Sequence, residues 1–174
     1  MSVFFRFFLF AGLLAVTGCS IVDRGPARLP IAPPAFSPAG AARVVPASAP
    51  LQCVPYARDL SGIQIRGDAW TWWNAADGRY RRSLRPEAGA VLVLARTDRL
   101  RGGHLAVVTQ VLNEREIVVR HANWLNQGNI HLDTPVRDVS AAGDWSAVRV
   151  WYTPGATWGA RAYAVAGFVL PRSL

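Results

Sequence analysis

Apolar residues crowd the first sixteen positions, with Arg6 the one charge among them. The unbroken run Phe7–Val16 is too short to cross a bilayer, which takes roughly 20 residues. It has the form of a secretory signal core, with Arg6 as a minimal positive region. From Ser20 to Pro50 the pattern has no helical or strand period. Pro26, Pro30, Pro33, Pro34, Pro38, Pro46 and Pro50 alternate with Ala, Arg and Ser, which predicts an extended, semi-stiff spacer. Periodic structure is expected from Leu51, leaving about 120 residues, enough for one domain with a real core. Cys53–Leu60 reads as a short helix. Pro55 is tolerated there only in the first turn, so Cys53 lies at or just before the helix start. Asp68 is a suitable N-cap for a second helix, Ala69–Ala76, on which Trp70 and Trp73 share a face and are assigned to the core, with Trp72 also packed. Past Pro86 the pattern turns to strand: Ala90–Ala95, His104–Leu112, a turn at Asn113-Glu114-Arg115, then Glu116–Ala122, Val148–Tyr152 and Val165–Leu170. Tyr163–Leu170 as a whole reads as an added strand completing the sheet. Helices first and antiparallel strands afterwards predict an α+β fold with the helices on one side.

Charge adds a constraint. The net charge is +8, and all 19 cationic residues are Arg. An exported protein does not ordinarily meet nucleic acid, so nucleic-acid binding is discounted. Outside the cytoplasm a basic surface meets anionic lipids and the carboxylates of cell-wall peptides, or serves solubility alone. Arg96, Arg99 and Arg101 fall on a loop ahead of His104, where they either meet acidic peptide groups or are simply solvated. No metal-ligand cluster or phosphate loop is present in the sequence, so no cofactor is expected.

The two cysteines stand in different contexts. Cys19 closes Ala15-Val16-Thr17-Gly18-Cys19, which resembles a bacterial lipobox with Val16 where Leu is most common. The resemblance implies a signal over 1–18, lipidation of Cys19, and a linker over 19–50 that holds a domain of residues 51–174 off the membrane. Ser20 stands where an Asp would retain a lipoprotein in the inner membrane, which leans toward the outer membrane.

Cys53 has a different prospect. A cysteine attacks as its thiolate, and a helix N-terminus or a nearby imidazolium lowers its pKa. His104 follows Gly102-Gly103, which allows close backbone or substrate approach. Without further information, a buried structural thiol and a surface histidine are the more ordinary reading of the pair. A catalytic pair needs a third group to orient the imidazole. His121 and Asn123 lie two apart on or just past one strand and point to the same face. Each has an alternative, as a strand-end histidine and as a turn residue. His131, among polar neighbours, reads as surface.

Five stretches then carry a resemblance. They are Gln52-Cys53-Val54-Pro55-Tyr56-Ala57-Arg58, Gly67-Asp68-Ala69 with Trp72, Pro86-Glu87-Ala88-Gly89-Ala90-Val91, Gly103-His104-Leu105-Ala106-Val107-Val108 and His121-Ala122-Asn123-Trp124. In that order and spacing, over about residues 51–152, the chain resembles the CHAP family, the cysteine- and histidine-dependent amidohydrolases and peptidases. The resemblance implies a papain-like core, with a helix-borne nucleophile against a small antiparallel sheet, and cleavage of amide bonds in peptidoglycan. Cys53 would attack the carbonyl and His104 would move the proton, while the Cys53 backbone N–H and the Gln52 side chain would hold the oxyanion. Many CHAP members carry Glu where this chain has His121. The related NlpC-type peptidases use a Cys-His-His arrangement, so His121 is the favoured orienter, with Asn123 a second polar contact. Trp124 is either a groove wall or plain packing. Two alternatives remain: a non-catalytic CHAP-fold lipoprotein that binds wall or a partner, and an amidase acting on a small amide.

Overall fold

A computed structural model describes residues 40–172 of the chain. Cys19, the signal segment and most of the spacer lie outside the described residues. The elements in chain order are β1 (Arg43–Val45), α1 (Cys53–Ser61), a 3-10 turn (Ala69–Thr71), α2 (Trp72–Ala75), β2 (Arg81–Ser83), β3 (Val91–Leu94), β4 (His104–Asn113), β5 (Glu116–Ala122), β6 (Ile130–Asp138), β7 (Ala147–Tyr152), β8 (Thr157–Trp158) and β9 (Tyr163–Leu170). The fold is α+β in the coarse sense, but sheet dominates. The small sheet expected from the sequence is instead a closed six-stranded barrel, β6-β5-β4-β3-β9-β7, sealed by pairing of β7 with β6. All its pairings are antiparallel. Strands β1, β2 and β8 attach at its margins.

Alternation in the strands separates two cores. Leu92, Val108, Ile117, Val136, Val148 and Phe168 of the barrel strands form one buried cluster with Trp145, just before β7. Val91, Val93, Leu105, Val107 and Val169, displaced by one residue, point to the opposite face. There they meet Ala57 of α1 together with Ile63, Ile65, Ala69, Trp72 and Ala76. A fully buried side chain of this kind contributes roughly 1.5–3 kcal/mol. Helix α1 ends at Gly62, whose φ of 73° places it in the left-handed region and whose N–H donates to Arg58 O at 2.9 Å.

Several local expectations are corrected. The spacer does not run structureless to Pro50, because Arg43-Val44-Val45 pairs with β6 in the register Val44↔His131. Residues 69–76 are not one helix. A 3-10 turn gives way to a single α-turn, and this rotates Ala69, Trp72 and Ala76 inward. Trp70 is therefore exposed, its indole donating to Asp68 Oδ2 at 3.3 Å. Trp73 is half-buried, under Arg82 and against Gly167. Asp68 occupies the N-cap position, but its side chain caps no backbone N–H. His131 is not at the surface; it is 2% exposed on β6, directly across from His121.

Candidate active site

The mouth of the barrel gathers the ends of several strands. The end of β3, the start of β4, the end of β5 and the start of β9 converge there with the first residues of α1. A groove of about 990 Å3 at this end is lined by Gln52, Cys53, His104, Asn123, Trp124 and Tyr163, with Arg99, Arg101 and Arg161 among its other residues.

Cys53 is the first residue of α1, a free and half-buried thiol. Pro55 sits in the first turn, where its missing N–H removes no helical bond. Burial pushes the Cys53 thiol up from its ordinary range. Hydrogen bonding with the backbone of Leu105, Val54 and Cys53 itself opposes this without overcoming it. The helix start therefore does not leave a low-pKa thiol, because desolvation of the anion outweighs the backbone N–H groups. The Leu105 contact places the sulfur beside the residue that follows His104.

His104 opens β4 after Gly103, which has φ of 68°. A Cβ on Gly103 would lie 2.6 Å from Trp70 N and 2.8 Å from Leu94 O. What the glycine admits is thus the backbone of the 3-10 turn, tied by Trp70 N–H to Gly102 O at 3.1 Å. His104 is buried, and its Nε2 lies 2.9 Å from His121 Nδ1. Burial depresses its pKa to about 3, with the charge of His131 a lesser cause. His121 is depressed by burial and then by His104 and His131; His131 is depressed by burial. Cys53 and His104 thus both favour their uncharged forms. The His121 and His131 rings stand 5.0 Å apart between centroids, and His121 Nε2 is buried without a hydrogen-bond partner. His104 and His121 face each other closer than two ligands on one zinc, which sit about 2.0–2.1 Å from the metal in tetrahedral array. The contact is a hydrogen bond, and among the described residues no cluster has metal-binding geometry.

Of the two candidates for third group, His121 reaches His104 and Asn123 does not. Asn123 Oδ1 accepts from Gly128 N–H at 2.8 Å, and its Nδ2 donates to Gln52 Oε1 at 2.8 Å. Trp124 both lines the groove and packs, with its ring 4.7 Å from His104 and 5.1 Å from Tyr163. Sequence reasoning missed His131 and the Gln52–Asn123 bond. The signal for the first lay in strand pairing rather than local polarity.

The CHAP domain family model matches residues 45–123. The match starts in β1 and ends at Asn123, leaving β6 to β9 beyond it. Among solved structures the chain is similar to the N-acetylmuramoyl-L-alanine amidase from Staphylococcus aureus, at 28% identity and a TM-score of 0.45. That similarity covers 67% of this chain and 34% of the amidase, so the chain spans about a third of its length. No curated protein matches the chain.

Proposed function

We propose that this protein is an exported cysteine amidohydrolase that cleaves amide bonds in peptidoglycan. The observation that carries the reading is the shared groove of Cys53 and His104, with His104 Nε2 held 2.9 Å from His121 Nδ1. Since His121 occupies Nε2, Nδ1 is the ring nitrogen left for the thiol. His104 Nε2–H then donates to His121 Nδ1, and His121 carries its own proton on Nε2. With both partners uncharged at rest, the thiol proton moves during attack rather than before it. Cys53 Sγ bonds to the amide carbonyl carbon as its proton passes to His104 Nδ1. The resulting oxyanion is held by the Cys53 backbone N–H and the Gln52 amide. The C–N bond breaks as His104 protonates the leaving amine, giving a thioester that water hydrolyses with His104 again as base. His121 keeps the imidazole aligned but, as a neutral ring, stabilises the imidazolium less than a carboxylate would.

A second reading, a CHAP-fold protein that binds wall without turnover, draws support from the same neutral pair. Digestion of purified sacculi by the chain from Ser20 onward, beside Cys53→Ala, tests both by mass analysis of the released products. Product from the native chain alone is expected. Equal product from both would overturn Cys53 as nucleophile, and none from either, with retained binding to sacculi, would establish the second reading. Anchorage at the outer membrane through a lipid on Cys19 is part of the proposal. Cys19→Ala should move the protein out of the membrane fraction, and unchanged partitioning would refute the anchor.

A further inference from the structure

We propose that Asn123 is a positioning residue for the oxyanion: it fixes the Gln52 amide so that its N–H2 end faces the groove. This rests on the proposed hydrolase reading. An amide side chain can be turned end for end at little cost unless a partner of fixed polarity decides. Here the partner is a backbone group. Gly128 N–H can only donate, and it points at Asn123 Oδ1 at 2.8 Å. The opposite end of Asn123 is therefore N–H2, a donor, and it faces Gln52 at 2.8 Å. Gln52 must meet it with Oε1, and its Nε2 then has no partner among the described residues, on a side chain that lines the groove beside Cys53.

Backbone hydrogen bonds hold the anchor. Gly128 O accepts from Leu51 N–H at 3.0 Å, one residue before Gln52, and Asn123 N–H donates to Asn129 O at 2.8 Å. Gly128 has φ of 68°, and a Cβ there would lie 2.7 Å from Pro50 Cα. The loop after β5 is thus zipped to the strand-like entry of α1, and the polarity of one backbone N–H is passed through two amides to the site. His104 needs nothing from Asn123, since its Nε2 is already met by His121.

Two isosteric substitutions test this. Q52E keeps the acceptor that Asn123 needs and removes the groove donor. Its melting temperature should stay within about 2 °C of native, while kcat on sacculi falls roughly 10²–10³-fold with KM little changed. N123D still accepts from Gly128 but offers Gln52 no proton, so Gln52 swings its N–H2 toward position 123. Turnover should fall toward that of Q52E, and the double variant should fall no further while melting lower, as two carboxylates face each other. The 15N shifts of the His104 ring nitrogens should keep their native tautomer pattern in N123D. A drop of more than about 4 °C in Q52E would overturn the assigned polarity. A changed His104 tautomer in N123D would return Asn123 to the imidazole. If the native chain releases no product the hydrolase reading fails, and melting temperatures and ring shifts still decide the polarity.

Discussion

Acid should unfold this protein through its buried histidines before its carboxylates titrate. In the fold His104 takes a proton only near pH 3, against 6.5 when unfolded. Between those values the unfolded chain binds a proton that the folded chain refuses. Stability is therefore fully present above pH 6.5 and is lost as pH falls toward 3. At 1.36 kcal/mol per pH unit, going from pH 7 to 5 removes about 2 kcal/mol through His104 alone. His121 and His131 are shifted in the same direction and steepen the loss. The assay is urea unfolding between pH 7 and 5, a window in which ordinary Asp and Glu stay ionised. The slope of stability against pH counts the protons taken up on unfolding. In His104→Gln that count should fall by about one. A flat profile from pH 7 to 5, or an unchanged slope in His104→Gln, would refute the burial argument.

His121→Glu places a carboxylate behind His104, which should raise the His104 pKa and lower that of Cys53. Iodoacetamide should then alkylate Cys53 about tenfold faster at pH 7 for each pH unit of thiol shift, and an unchanged rate–pH profile would count against His121 as the partner that sets the pair. Gly103→Ala forces a side chain into the left-handed region and into Trp70 N and Leu94 O; a loss of roughly 1–3 kcal/mol is expected in denaturant unfolding. Asp138 is a buried carboxylate that accepts from Ser140 N–H and Oγ–H and from Trp145 N–H. Asp138→Ala leaves those donors and the Arg115 guanidinium unmatched at the end of β6 and should cost about 3 kcal/mol, read the same way.

Cys53 and His104 were legible because their signals are local: a proline two residues after a cysteine fixes a helix start, and a Gly-Gly-His step fixes a strand start. The strand Glu116–Ala122 was equally legible, dense in β-branched residues and bounded by a tight turn. Closure of the barrel was not, because it pairs β7, which was expected as a strand, with β6, which was not. Strand β6 itself was hidden by Pro135, which ordinarily argues against a strand interior. It is accommodated next to an irregularity in the β5–β6 register, where Asp133 takes φ of 52°. That misreading carried His131 with it. Its neighbours Asn129 and Asp133 are polar, but β5 and β1 flank it on either side. Trp70 failed for another reason, while Trp73 does pack against the second cluster though half-buried. The spacing of three assumed a continuous α-helix, and the 3-10 start turned Trp72 into the buried position.

Strand β1 also bears on how the protein is cut for study. A fragment beginning at Leu51, the boundary that the prolines suggest, would discard Arg43–Val45. The outer edge of β6 would then present unpaired backbone groups beside His131, an invitation to pair with another molecule. It would also lose the ion pair from Arg43 to Asp133. Aggregation or weak binding of such a fragment would be a property of the cut, not of the protein, and a fragment that begins ahead of Arg43 avoids it.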